Sequence, residues 1–154
     1  MTDIGVIGGA GYVGLVTGVG LAALGHRVIA EDIDQRRLGM LRAGKSAVYE
    51  DGLEAILGEL IEMDQISFTD DLSETLRGSE VLFIAVGTPS LADGAADLSA
   101  VISVAEQLRD EIDRYTVIVV KSTVPVGTIE VVNDVLSQKL REREHFDVVS
   151  NPEF

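Results

Sequence analysis

Near the start of the chain, Gly8-Gly9-Ala10-Gly11-Tyr12-Val13-Gly14 closes one apolar run and opens another. Gly9-x-Gly11-x-x-Gly14 is a spacing at which glycines serve a diphosphate. One makes a tight turn, one lets backbone N–H groups come close, and one lets the following helix pack against the strand. The amides at the start of that helix would then face the anion. Asp32 stands 18 residues beyond Gly14, close to the roughly 20-residue offset of an acid that takes the hydroxyls of an adenosine ribose. An acid there favours NAD, because a 2′-phosphate would meet like charge. The plainer alternatives are a glycine turn without a ligand and, for Asp32, a loop carboxylate or the cap of a helix beginning near Asp34.

The same glycines also satisfy Gly8-x-x-Gly11-x-x-Gly14, the spacing of short-chain dehydrogenases and sugar epimerases, whose chemistry needs Tyr-x-x-x-Lys. Tyr12, Tyr49 and Tyr115 are followed four residues later by Val16, Leu53 and Val119, so that catalytic pair is missing. Hydroxyl-bearing loops recur further on, in Ala85-Val86-Gly87-Thr88-Pro89 and in Lys121-Ser122-Thr123-Val124-Pro125-Val126-Gly127-Thr128. Either loop alone reads as a turn or a helix cap. Two of them, followed by Asn151-Pro152-Glu153-Phe154, suggest a shared site. Lys121 reads as half of a strand-end ion pair before it reads as a reactive lysine, and His26 and His145 are given no catalytic role. The chain has no cysteine, which removes disulfides, thiolate metal sites and a thiol nucleophile.

Positioning these loops requires elements that alternate. Apolar runs rich in Val and Ile predict strands over 4–7, 27–31, 66–69, 81–86, 117–121 and 147–149. Amphipathic stretches between them predict helices over 12–24, 35–43, 52–63, 72–77, 98–112 and 129–144. Strand-helix alternation implies right-handed crossovers and an α/β fold of Rossmann type, a doubly wound, mostly parallel six-stranded sheet with helices on both faces. Such sheets bind ligands beyond the carboxyl ends of their strands, which is where the glycine loop, Asp32 and the hydroxyl loops fall.

A length of 154 residues fits one domain over 1–154 with a core of its own. The 26 Asp and Glu against 12 Lys and Arg give a net charge of −14, which disfavours nucleic acid and anionic lipid surfaces as partners. No apolar segment approaches the roughly 20 residues that span a bilayer, and no signal-like start is present, so the cytoplasm is the expected location.

Taken in order, Gly11-Tyr12-Val13-Gly14-Leu15-Val16-Thr17-Gly18, Asp32-Ile33-Asp34, Tyr49-Glu50-Asp51-Gly52-Leu53-Glu54, the two hydroxyl loops and Asn151 to Phe154 resemble the N-terminal NAD-binding domain of the UDP-glucose 6-dehydrogenase family. The resemblance covers essentially the whole chain. It implies an enzyme that oxidises UDP-glucose to UDP-glucuronate by two hydride transfers to two NAD. Its catalytic cysteine and sugar-nucleotide site lie in later domains, so this chain alone is expected to be inactive, and the parent enzyme is expected to be a homo-oligomer. The glycine loop, with Gly9, Gly11, Tyr12, Val13 and Gly14, is assigned to the pyrophosphate, and Asp32 to the ribose. Arg37 is assigned to the adenosine side, and Thr88 and Thr123 to the nicotinamide side. Thr123 is also assigned a catalytic hydroxyl role, for which helix capping is the alternative. Glu153 is carried over as an acid/base candidate and, with Phe154, as a substrate contact; no metal is implied. GDP-mannose and UDP-N-acetylmannosamine dehydrogenase domains are the sister readings, and a stand-alone NAD-sensing module is the rival from another class. Two departures from the family pattern stand out. An extra residue precedes the glycine loop, so either Gly8 or Gly9 could make its tight turn, and Asp51 occupies a position where the family carries Pro.

Overall fold

The computed structural model describes residues 1–141 and 144–152. Strand β1 (Asp3–Ile7) leads into helix α1 (Tyr12–Ala23), followed by β2 (Arg27–Glu31), α2 (Gln35–Arg42) and α3 (Leu53–Glu62). Then come β3 (Ile66–Thr69), α4 (Leu72–Arg77), β4 (Val81–Ile84), α5 (Ser99–Glu111), β5 (Thr116–Val120), α6 (Thr128–Ser137) and β6 (Phe146–Ser150). The strands form a six-stranded sheet in the order β3-β2-β1-β4-β5-β6. Every neighbouring pair is parallel. The order reverses between β1 and β4, and the crevice at that switch point is where a doubly wound sheet accepts a ligand.

Sequence alternation along the strands explains the two layers. Ile4, Val6, Val28 and Ala30 turn to one face, where Leu15 and Val19 of α1, Leu38 and Leu41 of α2 and Leu57 of α3 cover them. Ile7, Leu82, Ile84 and Ile118 belong to a second core with Leu76 of α4, Val104 and Leu108 of α5 and Val132 and Leu136 of α6. Strands buried on both faces need the near-continuous Val/Ile runs seen here.

Two predicted boundaries are corrected. The strand expected over 81–86 ends at Ile84. Ala85 still donates to the Ile7 carbonyl at 2.8 Å, after which the chain leaves the sheet to form the crevice wall. The helix expected over 129–144 runs only from Thr128 to Ser137. Leu140 folds back on Leu136 and is buried, so the apolar pattern continues in a turn rather than a helix. The remaining ends differ from expectation by a residue or two at most.

Candidate functional site

A cleft of about 700 Å³ opens at the switch point. Gly11, Tyr12 and Val13 line it, as do Asp32, Arg37, Thr88, Lys121 and Thr123. Of the residues singled out in the sequence, Gly9 and Gly14 stand behind the cleft wall, and Glu153 and Phe154 lie outside the described residues.

Each glycine in the first loop has a different physical reason. Gly8 makes the tight turn: its φ is +79°, and a Cβ there would lie 2.8 Å from the Ala85 carbonyl oxygen. The amides of Gly8 and Gly9 both donate to the Glu31 carbonyl, at 2.9 and 2.8 Å, locking the loop onto the end of β2. A Cβ on Gly9 would lie 2.7 Å from the Ala30 Cβ, and one on Gly14 would lie 2.2 Å from the Gly8 carbonyl oxygen. Both positions are therefore required by the protein's own packing. Gly11 is not. Its φ is −76°, and a Cβ would meet only the Gly8 carbonyl oxygen, at 3.4 Å. The missing side chain leaves the start of α1 bare toward the cleft.

That start also carries no acid of its own. Acids sit at the beginning of the other helices: Asp34 at α2, Glu54 at α3, Asp71 and Glu74 at α4 and Glu130 at α6. At α5 the Asp97 carboxylate accepts from the Ser99 amide at 2.9 Å. Helix α1 has no side-chain cap and no acid in its first turn. Four amides at a helix start lack intrahelical acceptors, and the helix dipole adds partial positive charge there. In a strongly acidic chain, a helix start that faces the cleft with no side-chain cap and no acid in its first turn is a cradle for an anion, so the residues present fit a dinucleotide pyrophosphate.

Asp32 is oriented before any ligand arrives. Its Oδ2 accepts from the Ala10 amide at 2.9 Å and its Oδ1 from the Asp34 amide at 3.0 Å. The carboxylate therefore bridges the glycine loop and the entry to α2, and its remaining lone pairs can accept ribose hydroxyls. The cap of α2 is Asp34, which accepts from the Arg37 amide at 3.0 Å, so the capping reading of Asp32 does not hold. Arg37 borders the cleft with its Nε 3.3 Å from Asp34 Oδ2. Tyr12 donates its hydroxyl to Glu50 Oε2 at 2.6 Å, tying the glycine loop to the segment before α3.

The far wall is built by the two hydroxyl loops. Thr88 Oγ1 donates to the Thr123 carbonyl at 2.8 Å, joining them. Ser122, buried, donates to the Val86 carbonyl at 2.7 Å and holds the same junction from behind. Thr123 caps no helix, since α6 begins at Thr128 after Gly127 in a left-handed conformation. His26 Nδ1 accepts from the Thr2 amide and His145 Nδ1 from the Arg141 amide, both at 3.3 Å, and neither lines the cleft.

Sequence reasoning passed over Glu31. It is 6% exposed and lines the cleft beside Asp32. Burial pushes its carboxyl up to about 7, with the charges of Asp32 and Asp70 adding to the shift and the Gly8 amide opposing it. A charged residue ending a strand whose alternation marks it for the interior was the available signal. Ser122 was legible only as part of its loop.

The comparisons agree with this geometry. Residues 2–154 match the model of the UDP-glucose/GDP-mannose dehydrogenase family, NAD binding domain. A UDP-glucose 6-dehydrogenase of Pseudomonas aeruginosa is 47% identical over 95% of this chain and 33% of its own length. A UDP-glucose dehydrogenase structure from the hyperthermophilic archaeon Pyrobaculum islandicum superposes with a TM-score of 0.89 at 41% identity, covering 100% of this chain and 36% of that one. A ternary complex of GDP-mannose dehydrogenase from Pseudomonas aeruginosa superposes with a TM-score of 0.91 at 34% identity, covering 99% and 36%. The chain thus spans about a third of the length of the relatives it matches. With the glycine cradle, the oriented acid and the sheet order in place, this chain belongs to the UDP-glucose/GDP-mannose dehydrogenase family, as its NAD-binding domain.

Proposed function

We propose that the chain is the cofactor-binding part of a UDP-glucose 6-dehydrogenase, the parent enzyme oxidising the primary alcohol of UDP-glucose to a carboxylate in two steps. The carrying observation is the bare start of α1. Gly11 is dispensable to the fold, and α1 has neither a side-chain cap nor an acid in its first turn, in a chain that places acids at its other helix starts. The amides of the first turn of α1, from Tyr12 on, hold the pyrophosphate, and Asp32 takes the adenosine ribose. Arg37 borders the adenosine side, and Thr88 and Thr123 carry the nicotinamide end. NAD, when bound, supplies the hydride acceptor.

UDP-glucose is favoured over GDP-mannose by the higher identity to UDP-glucose dehydrogenases, 47% and 41% against 34%. The fold does not discriminate, with TM-scores of 0.89 and 0.91. A covalent intermediate on sulfur, of the kind the family resemblance implies, has no nucleophile here, since the chain has no cysteine. That step and the sugar site therefore belong to residues outside this chain. Among the described residues no helix is long and apolar enough to cross a membrane. Calorimetric titration of the chain is expected to show NAD binding and much weaker NADP binding. With UDP-glucose and NAD together, the chain alone is expected to form no NADH. Equal affinity for the two dinucleotides, or turnover by the isolated chain, would contradict this reading.

A further inference from the structure

Glu31 ends β2 on the face opposite Ala30, which packs beneath α1. Its carboxyl borders the cleft near Ile7 of β1 and Leu72 of α4, in a largely apolar setting. A buried carboxylate ordinarily sits against a cation or several donors, and the described residues supply neither. Among the described residues, no side chain donates to it and no Lys or Arg pairs with it. Arg37 is held by Asp34 at 3.3 Å, and Arg42 donates to the Phe68 carbonyl at 3.0 Å while lying 3.9 Å from Asp70.

The charged groups nearest Glu31 are of its own sign. Asp32 follows it in the chain, and Asp70 stands between β3 and α4 with Gln35 Nε2 2.6 Å from its Oδ2. Glu74 of α4 accepts from Thr69 Oγ1 at 2.6 Å. On α5 the cleft is lined by Ala100, Ser103, Val104 and Gln107, all uncharged, and Lys121 lines it from the end of β5. Among the described residues, the Gly8 amide is the group that favours the anion.

Resting on the NAD reading above, we propose that Glu31 is a proton-carrying member of the cofactor cleft: it is neutral in the dinucleotide complex, so NAD binding takes up a proton and weakens as this carboxyl ionises. The reason is electrostatic. A pyrophosphate entering a cleft lined by Asp32, with Asp70 acting on Glu31 from outside the lining, adds negative charge, and among the described residues Glu31 is the one buried acid there that can shed its own. The free carboxyl, already raised to about 7 by burial and its acidic neighbours, is poised to respond near neutrality. Each pH unit by which the bound anion raises it further is a tenfold change in affinity.

The test is calorimetric titration of the chain with NAD from pH 6 to 8.5, repeated at pH 7.5 in two buffers of different ionisation heat. For the unmodified chain, Kd is expected to rise about tenfold across the range if the bound anion adds about one unit, with net proton uptake at pH 7.5. Glu31→Gln is expected to bind NAD at every pH about as tightly as the unmodified chain does at pH 6, and to take up no proton. A flat Kd without proton uptake in the unmodified chain overturns the proposal and needs no variant. An equal slope in Glu31→Gln overturns it too, by assigning the proton to another group. Either result leaves NAD binding intact; failure to bind NAD at any pH would sink the cofactor reading as well.

Discussion

The separation of Gly11 from Gly14 gives the most discriminating pair of substitutions. In Gly14→Ala the new Cβ would lie 2.2 Å from the Gly8 carbonyl oxygen, 2.9 Å from the Gly8 carbonyl carbon and 3.0 Å from the Gly9 Cα, all backbone atoms of the tight turn. Relief requires the turn or the helix to move by several tenths of an ångström, and overpacking of that kind costs about 3 kcal/mol. Replacing a helical glycine with alanine returns about 1 kcal/mol of helix propensity, leaving a net loss of about 2 kcal/mol. In Gly11→Ala the Cβ finds only an ordinary contact at 3.4 Å and an extended backbone. The poorer N-cap, costing about 0.5–1 kcal/mol, is offset by a similar gain from a stiffer unfolded chain. Gly11→Ala should therefore unfold in denaturant within about 0.5 kcal/mol of the parent yet lose NAD affinity by about 2 kcal/mol, because its methyl occupies the cradle. Urea titration and calorimetry on both variants decide it. If Gly11→Ala binds NAD like the parent, or if the two variants are equally destabilised, the assignment of Gly11 to the ligand is wrong.

Asp32→Ala should weaken NAD by about 1–3 kcal/mol and narrow the preference over NADP, and it should also destabilise the free chain, because the Ala10 and Asp34 amides lose their acceptor; calorimetry with both dinucleotides reads the first effect and denaturation the second. Glu31 lowers stability as pH rises, since its folded carboxyl titrates near 7 and its unfolded one near 4.5. Between those values only the folded chain keeps the proton. The shift sets a ceiling of about 3 kcal/mol, of which about 1–2 should survive relaxation and water entry. Glu31→Gln should then match the parent at pH 4.5 and exceed it by that amount at pH 8 in urea titrations. Thr88→Val removes the 2.8 Å bond between the two hydroxyl loops and should cost about 1 kcal/mol in denaturation, together with a severalfold rise in the Kd for NAD.

Much of this architecture was legible because the strands are buried on both sides and their residues say so. Arg27–Glu31, Ile66–Thr69 and Leu72–Arg77 were placed to the residue, each bounded by a charge or a turn former. The overlong last helix came from helix-forming residues in Gln138 to Glu144 with no breaker among them; tertiary burial of Leu140 decided the end instead. At the site, spacing located the glycine loop but could not say which glycine serves the fold and which the ligand. That distinction rests on where a Cβ would point, and Gly8 rather than Gly9 adopts the left-handed turn. Asp32 and the loops that carry Thr88 and Thr123 were found because they follow strand ends, whereas Arg37, inside α2, came from the family resemblance alone. Glu31 was missed because its neighbours, Asp70 among them, come from a different strand connection.

The most direct test is a crystal structure of the chain grown with saturating NAD. Electron density for the diphosphate against the amides of the first turn of α1, from Tyr12 on, with the adenosine ribose hydroxyls on the Asp32 carboxylate, is the predicted result. Dinucleotide density anywhere else on the molecule, or an empty cleft in a lattice that leaves it open, would contradict the account.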